Sequence, residues 1–392
     1  MRSPVSLVLL FGMIGCGRPA PVPPPGATGG TTSEKAPQPP VPATATSGGA
    51  TTESDPGIDV FQDESSCRRV VASGRLAPRA AHQARFATWN LRAFPDGGAG
   101  EALSGEATNV GWASCVIAWL DADVIALQEV KGHQHAKRAV ADLARELSEL
   151  ADTDWSLRFD DCDQPEHVGF LWRRDRVSGT NFREQWHFNP SAKGGNGCDP
   201  KKTASPGLTG YFKFASGLDL NLTVVQLGTV GDCAGLKRRR KVFQRLKAAL
   251  TTATPREDRD YLIVGDYGTE GCPKSSSRRC RCNPTLSSAR EVSKLRKQAR
   301  RAGFNLLQND VSCTAHSASE GEWPTLDLFM SSKRMAELPA DATPRVFGIC
   351  ATTTCSGDAA HLPAYTSLSD HCPVVVDVNG ADLDDAAGSS VF

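Results

Sequence analysis

The chain predicts a layered α/β fold, from three observations. Short apolar runs that end on a polar residue recur along it, among them Phe86-Ala-Thr-Trp-Asn90, Asp123-Val-Ile-Ala-Leu-Gln-Glu129, Leu222-Thr-Val-Val-Gln-Leu227 and Leu262-Ile-Val-Gly-Asp-Tyr-Gly268. Segments with the apolar spacing of helices lie between them. The 392 residues, 40% hydrophobic and 22% charged, are enough for one large domain with a buried core. Strands with intervening helices stack in layers.

The elements follow in order. Ala84 to Asn90 reads as a strand. Gly111 to Leu120 reads as a helix, with Trp112, Val116, Trp119 and Leu120 on one side. Val124 to Gln128 is a short apolar strand. His133 to Leu150 is an amphipathic helix whose inner face carries Ala136, Val140, Leu143, Leu147 and Leu150. Further strands are expected at Val168–Arg173, Tyr211–Phe214, Leu220–Leu227, Tyr261–Gly265, Leu326–Ser331 and Pro373–Val378, and helices at Leu236–Leu250 and Ser288–Ala302. There is no internal repeat.

The ends of the chain differ from this domain. Arg2, an apolar run from Val5 to Ile14 and then Gly15-Cys16 make an export signal, too short to span a membrane. Met13-Ile14-Gly15-Cys16 resembles a bacterial lipobox. Residues 1–16 are therefore expected to be a signal peptide, with Cys16 as a lipid anchor on the bacterial cell envelope. Residues 17–60 are rich in Pro, Thr, Ala, Gly and Ser and read as a disordered spacer. The domain is placed at residues 61–378 and a loose polar tail at 379–392. Setting Cys16 aside leaves an even number of the 13 cysteines, which in an oxidising compartment predicts disulfides. A zinc cluster is the alternative, but no pair has the Cys-x-x-Cys spacing. The formal net charge of +0 gives no global case for nucleic-acid binding. Basic residues cluster at Lys237–Lys241 and between Arg278 and Arg301. Such runs are first of all solvated faces, with a polyanion-binding surface as the alternative.

The polar residues at the strand ends carry the chemistry. A carboxylate such as Glu129, directly after a buried strand, is costly unless solvated or paired. Taken alone, Asn90 is a turn residue and Glu129 a salt-bridge partner. Asp266 follows Leu262-Ile-Val-Gly, Asp327 lies in Leu-Asp-Leu-Phe, and Asp370 and His371 fall in Ser-Asp-His-Cys-Pro. Taken alone, His371 would be a satisfied structural histidine. The other histidines form no ligand-like spacing.

The order and flanks of these segments, from about Arg85 to Val378, resemble the endonuclease/exonuclease/phosphatase family in its deoxyribonuclease I-like branch. The resemblance implies a four-layer sandwich, with two central mixed β-sheets flanked by helices. It implies hydrolysis of a phosphate ester with Mg²⁺ or Mn²⁺, held by one or two carboxylates and water. By resemblance Glu129, Asn90 and Asp370 form the metal side. Asp266 orients the attacking water, and His371 faces the phosphate with Asp327 as its orienter. Asn90 is also expected to position phosphate.

Three positions depart from the pattern. The family has histidine where this chain has Gln226, and an amide cannot exchange a proton near neutral pH. It has asparagine, a donor to the transition-state phosphate, where this chain has Gly268. Its arginine before the middle strands is not evident near Ser205-Pro206-Gly207. Glu166 aligns with the carboxylate that normally pairs with the missing histidine, so a Glu166–Gln226 hydrogen bond is expected. His167, its neighbour on a strand, should point to the opposite face.

The implied function is an exported phosphodiesterase with impaired or altered catalysis. The alternatives are a non-catalytic surface binding module and a phosphoesterase acting on something other than nucleic acid. The implied partners are a phosphate-ester substrate, with nucleic acid among the candidates, and a membrane only through the anchor. A monomer is expected.

Overall fold

The structure, a computed structural model, describes residues 56–97, 106–189, 198, 207–228, 233–253, 260–272, 286–316 and 323–383. The expected signal peptide, the Cys16 anchor, most of the spacer, Ser205-Pro206 and Arg278 lie outside them. In chain order the elements are α1 (Pro56–Val60), α2 (Glu64–Ala72), β1 (Gln83–Phe94), α3 (Val110–Leu120), β2 (Val124–Lys131), α4 (Gln134–Ala151), β3 (Trp155–Phe159), β4 (Glu166–Arg173), β5 (Val177–Gln185), β6 (Gly207–Phe214), β7 (Asp219–Gln226), α5 (Cys233–Ala253), β8 (Tyr261–Asp266), β9 (Gly271–Cys272), β10 (Leu286–Ser287), α6 (Ser288–Ala302), β11 (Phe304–Leu306), β12 (Asp327–Ser332), β13 (Arg345–Val346), α7 (Ile349–Thr352), α8 (Pro363–Ser367) and β14 (Val374–Asn379).

Two six-stranded sheets form, in the orders β13-β14-β1-β2-β4-β3 and β11-β12-β8-β7-β6-β5. Each contains one parallel pair, β1 with β2 and β7 with β8, among antiparallel neighbours. The sheets meet face to face. Phe86 of β1 packs edge-on against Phe214 of β6 at 5.4 Å, and Phe170 of β4 against Phe212 of β6 at 5.2 Å. Apolar helix faces cover the outer surfaces. Ala136, Val140, Leu143 and Leu147 of α4 are buried as expected, while Leu150 is only partly so. A second core under α5 and α6 holds Phe243, Leu246, Tyr261, Ile263 and Leu295. The expected four-layer sandwich is the architecture observed.

Some expectations need correction. Residues 112–120 of α3 are buried all round rather than on one side, because α2 and α4 flank the helix. The spacer does not reach residue 60, since α1 starts at Pro56 and Val60 is fully buried. The tail begins later than 379: the Gly380 N–H donates to the His82 carbonyl and the Leu383 N–H to Glu337 Oε1. In the basic run Lys237–Lys241, Arg239 does not face solvent. It is fully buried against Glu291, at 2.7 and 2.9 Å. The cysteines form disulfides, four among the described residues: Cys67–Cys115, Cys162–Cys198, Cys313–Cys355 and Cys350–Cys372.

Candidate active site

The two parallel pairs carry the site at their carboxyl ends. The regular pairing of β1 with β2 ends at Asn90 and Gln128, with Glu129 next in the chain, and Gln226 and Asp266 face each other at the ends of β7 and β8. Carboxyl ends of parallel strands are where such sheets place ligands. Two hydrogen bonds cross from sheet to sheet. Asn90 Nδ2 donates to Asp266 Oδ2 at 3.2 Å, and Gln226 Nε2 donates to Glu129 Oε1 at 3.0 Å.

Glu129 reaches this cluster by a break in strand geometry. Asn90 is in register with Gln128, and Thr88 bonds Gln128, so these side chains share the inner face. Regular alternation would send Glu129 outward. Instead its φ is +59°, and the register of β2 shifts against both neighbours at this point. Arg92 and Ala93 opposite are also left-handed, at +47° and +54°. Each left-handed residue costs about 1–3 kcal/mol, and such strain collects at functional sites. The result is that Glu129 turns inward and accepts from Asn90 Nδ2 at 2.9 Å and from the Ala93 N–H at 3.1 Å.

The remaining members arrive from β8, β12 and the loop before β14. Gly265 sets the position of Asp266. Its φ is +131°, and a Cβ there would lie 2.1 Å from the Val225 carbonyl oxygen, so only glycine lets β8 approach β7. Asp266 Oδ1 accepts the Gly268 N–H at 2.6 Å. Asp327 is in register with Asp266, and Asp327 Oδ2 lies 2.8 Å from His371 Nδ1. This makes His371 a carboxylate-oriented imidazole, as expected. Ser369 fixes the loop, donating to the Asn90 carbonyl at 2.7 Å and accepting from the His371 N–H at 3.0 Å.

Charge in this cluster is unbalanced. Among the described residues no Lys or Arg forms an ion pair with Glu129, Asp266, Asp327 or Asp370. Burial pushes the Glu129 carboxyl up to about 7; His371 opposes this and Glu166 adds to it. Burial also raises Asp266, with His371 opposing. For His371 burial lowers the pKa, but Asp327, Asp370 and Asp266 outweigh it and carry the value well above that of ordinary histidine.

Buried carboxylates short of positive charge are a donor set that would suit a divalent cation, and Glu129 is the one placed among neutral donors only. The described residues hold no ready cluster of three His, Cys, Asp or Glu side chains around one point. Asn90 faces the carboxylates through its Nδ2, which donates to Glu129 and Asp266. Its oxygen accepts the Arg92 N–H at 2.9 Å, so it offers the carboxylates a donor. Asp370 is half-buried, and its charge acts on His371 and on the buried His316.

Two departures from the sequence reading stand out. The expected Glu166–Gln226 hydrogen bond is replaced by Gln226–Glu129. Glu166 instead pairs with Lys131, its register partner, at 2.7 Å. Gln226 is thereby committed, its Nε2 to Glu129, while its buried Oε1 has no hydrogen-bond partner among the described residues. Gly268 has φ +58°, a conformation that asparagine tolerates better than other side chains. His167 bonds Asp160 instead of any residue of the cluster.

No protein-family model and no curated protein matches the chain. Solved structures with a similar chain path include D. rerio TDP2 complexed with single-strand DNA product (14% identity, TM-score 0.48, 76% of this chain and 99% of that one). Others are the Bacteroides thetaiotaomicron mannosyl-6-phosphatase (15%, 0.47, 75% and 99%) and the human Nocturnin catalytic domain with bound sulfate (16%, 0.43, 77% and 96%). Likeness this distant says nothing of substrate or activity. The two facing six-stranded sheets, with a carboxylate–histidine cluster at the ends of their parallel pairs, are the fold that the resemblance to the endonuclease/exonuclease/phosphatase family implies.

Proposed function

We propose that the chain is an exported, metal-dependent phosphoesterase whose catalysis is slowed or redirected. One observation carries this reading. The Asp327–His371 dyad, Asp266 and Glu129 are assembled at one place with a surplus of negative charge. A bound divalent cation supplies charge neutralisation for the phosphate oxygens. His371, held by Asp327 and protonated, offers its Nε2–H to a phosphate oxygen. Asp266, its carboxyl raised by burial, accepts a proton from the attacking water. Asn90 ties the two carboxylates together. What the cluster lacks is a proton donor at position 226 and a side-chain amide at 268. General acid catalysis is worth roughly 10²–10⁴ in rate and a transition-state donor roughly 10²–10³. These losses belong to one catalytic unit and do not multiply.

The disulfides support an oxidising compartment, and the N-terminal signal with Cys16 supports a lipid-anchored export product. Substrates with good leaving groups need little acid assistance and are the ones this site favours. The test is hydrolysis of plasmid DNA and of an aryl phosphodiester by the protein with Mg²⁺ or Mn²⁺, with Glu129→Ala as control. Metal-dependent turnover of the aryl ester that Glu129→Ala abolishes supports the reading. Turnover that survives Glu129→Ala, or no turnover of either substrate, overturns it in favour of a binding module.

A further inference from the structure

A second carboxylate-oriented histidine lies outside the catalytic cluster. His167 follows Glu166 on β4 and points to the outer face, into a cleft of about 1150 Å³ between α4 and the β3–β4 connection. His167 Nδ1 lies 3.2 Å from Asp160 Oδ1. Asp160 is buried and is itself fixed by the Val168 N–H at 2.8 Å, the Cys162 N–H at 3.1 Å and Gln164 Nε2 at 3.2 Å. So many bonds to one carboxylate hold the imidazole in a single orientation. His167 lines the cleft, and its Nε2 bonds no protein atom among the described residues. Gly132 keeps it clear, since a Cβ there would lie 2.6 Å from Nε2.

The surroundings suit an anion with an apolar body. Lys137, on the first turn of α4, lines the cleft and forms no ion pair among the described residues, and the positive end of that helix borders the same space. The cleft is not uniformly basic. Asp96, Asp161 and Asp163 also line it, but Asp96 is paired with His133 at 2.7 Å and Asp161 with Arg158. Lys131 is committed to Glu166. The hydrogen bond to Asp160 raises the His167 pKa, against the lowering by burial. Val130, Val140, Leu157 and Phe159 supply an apolar wall, and Leu157 is exposed.

We propose that this cleft is a second binding site, taking the phosphate group of a small ligand with an apolar body, with His167 Nε2 and Lys137 meeting the anion. The site needs no metal and no hydrolysis, so it stands or falls separately from the catalytic reading. The full chain, labelled with ¹⁵N-histidine and freed of metal with EDTA, is titrated with phenyl phosphate and with inorganic phosphate. The His167 ring signals are assigned by their loss in His167→Gln. The expected result is a saturable shift of His167 and not of His371, with phenyl phosphate binding more tightly than inorganic phosphate. Lys137→Ala, at an exposed position that leaves folding intact, should weaken binding by about three- to tenfold. No shift at His167, a shift confined to His371, or an affinity indifferent to Lys137→Ala overturns the proposal. Equal affinity for both probes removes the apolar body from it.

Discussion

Opposite ends of the β1–β2 pair treat buried charge in opposite ways. At the amino end, Arg85 is fully buried and every donor of its side chain is used. It bonds both oxygens of Asp377 and the carbonyls of Ala77, Pro78 and Leu120. Asp123 beside it is held by Arg79, Arg176 and the Arg85 N–H. At the carboxyl end, Glu129 sits in a left-handed conformation with only neutral donors bonded to it, and its carboxyl is pushed up to about 7. The first arrangement is matched and unstrained, which is what stability requires. The second is unmatched and strained, which stability alone does not explain and the proposed cation would.

The contrast can be broken at either end. The largest effect on folding is expected from Arg85→Met. It removes five donors from buried partners and should cost about 3–5 kcal/mol in denaturant unfolding. A loss under 1 kcal/mol would show that the matched end is not structural. Next comes His371→Asn, which should lower turnover of an aryl phosphodiester by roughly 10²–10⁴ and, because it takes a protonated partner from buried Asp327, also lower the unfolding midpoint, though less than Arg85→Met.

The pH dependence follows from Glu129. Its folded pKa is above the unfolded value of 4.5, so the folded state holds the extra proton between pH 4.5 and about 7. Stability therefore falls as pH rises through that window, and the penalty is fully present above pH 7. It should amount to about 1–3 kcal/mol and disappear in Glu129→Gln. Mn²⁺ should raise Tm more at pH 8 than at pH 5.5. Equal shifts at both pH values would detach Glu129 from the metal. The smallest effect is expected for Gly268→Asn, within about 1 kcal/mol, because asparagine accepts the left-handed backbone. Gly268→Val should cost visibly more.

Much of this was legible in the sequence. Strands β7 and β8 end on Gln226 and Asp266, whereas β1 and β2 run on past Asn90 and Glu129, and the His371–Asp327 dyad forms as the resemblance of the Ser-Asp-His and Leu-Asp-Leu segments implied. β5 was not legible, because an edge strand with alternating exposed polar residues, Val177 to Gln185, shows little apolar period. β3 is short and only partly buried for the same reason. The turn of Glu129 toward the site was hidden because glutamate gives no sign of a left-handed backbone. The Gln226 partner was missed because strand register, which pairs Glu166 with Lys131, is a tertiary property. Arg239 looked like part of a solvated run, and only the position of Glu291 on the neighbouring helix drew it inward. At Gly268 the sequence shows only the missing side chain, and the backbone, at φ +58°, still has the shape an asparagine would use.

The central claim is an intact phosphoesterase scaffold that lacks two catalytic groups. The most direct measurement compares Mn²⁺-dependent plasmid cleavage by the natural chain with that by Gln226→His combined with Gly268→Asn, and with the same pair carrying Glu129→Ala. The account predicts that the double substitution cleaves at least roughly 10²-fold faster than the natural chain, and that Glu129→Ala abolishes the gain. A natural chain that already cleaves as fast as the restored one, or a restored chain that stays inert while folded, would contradict it.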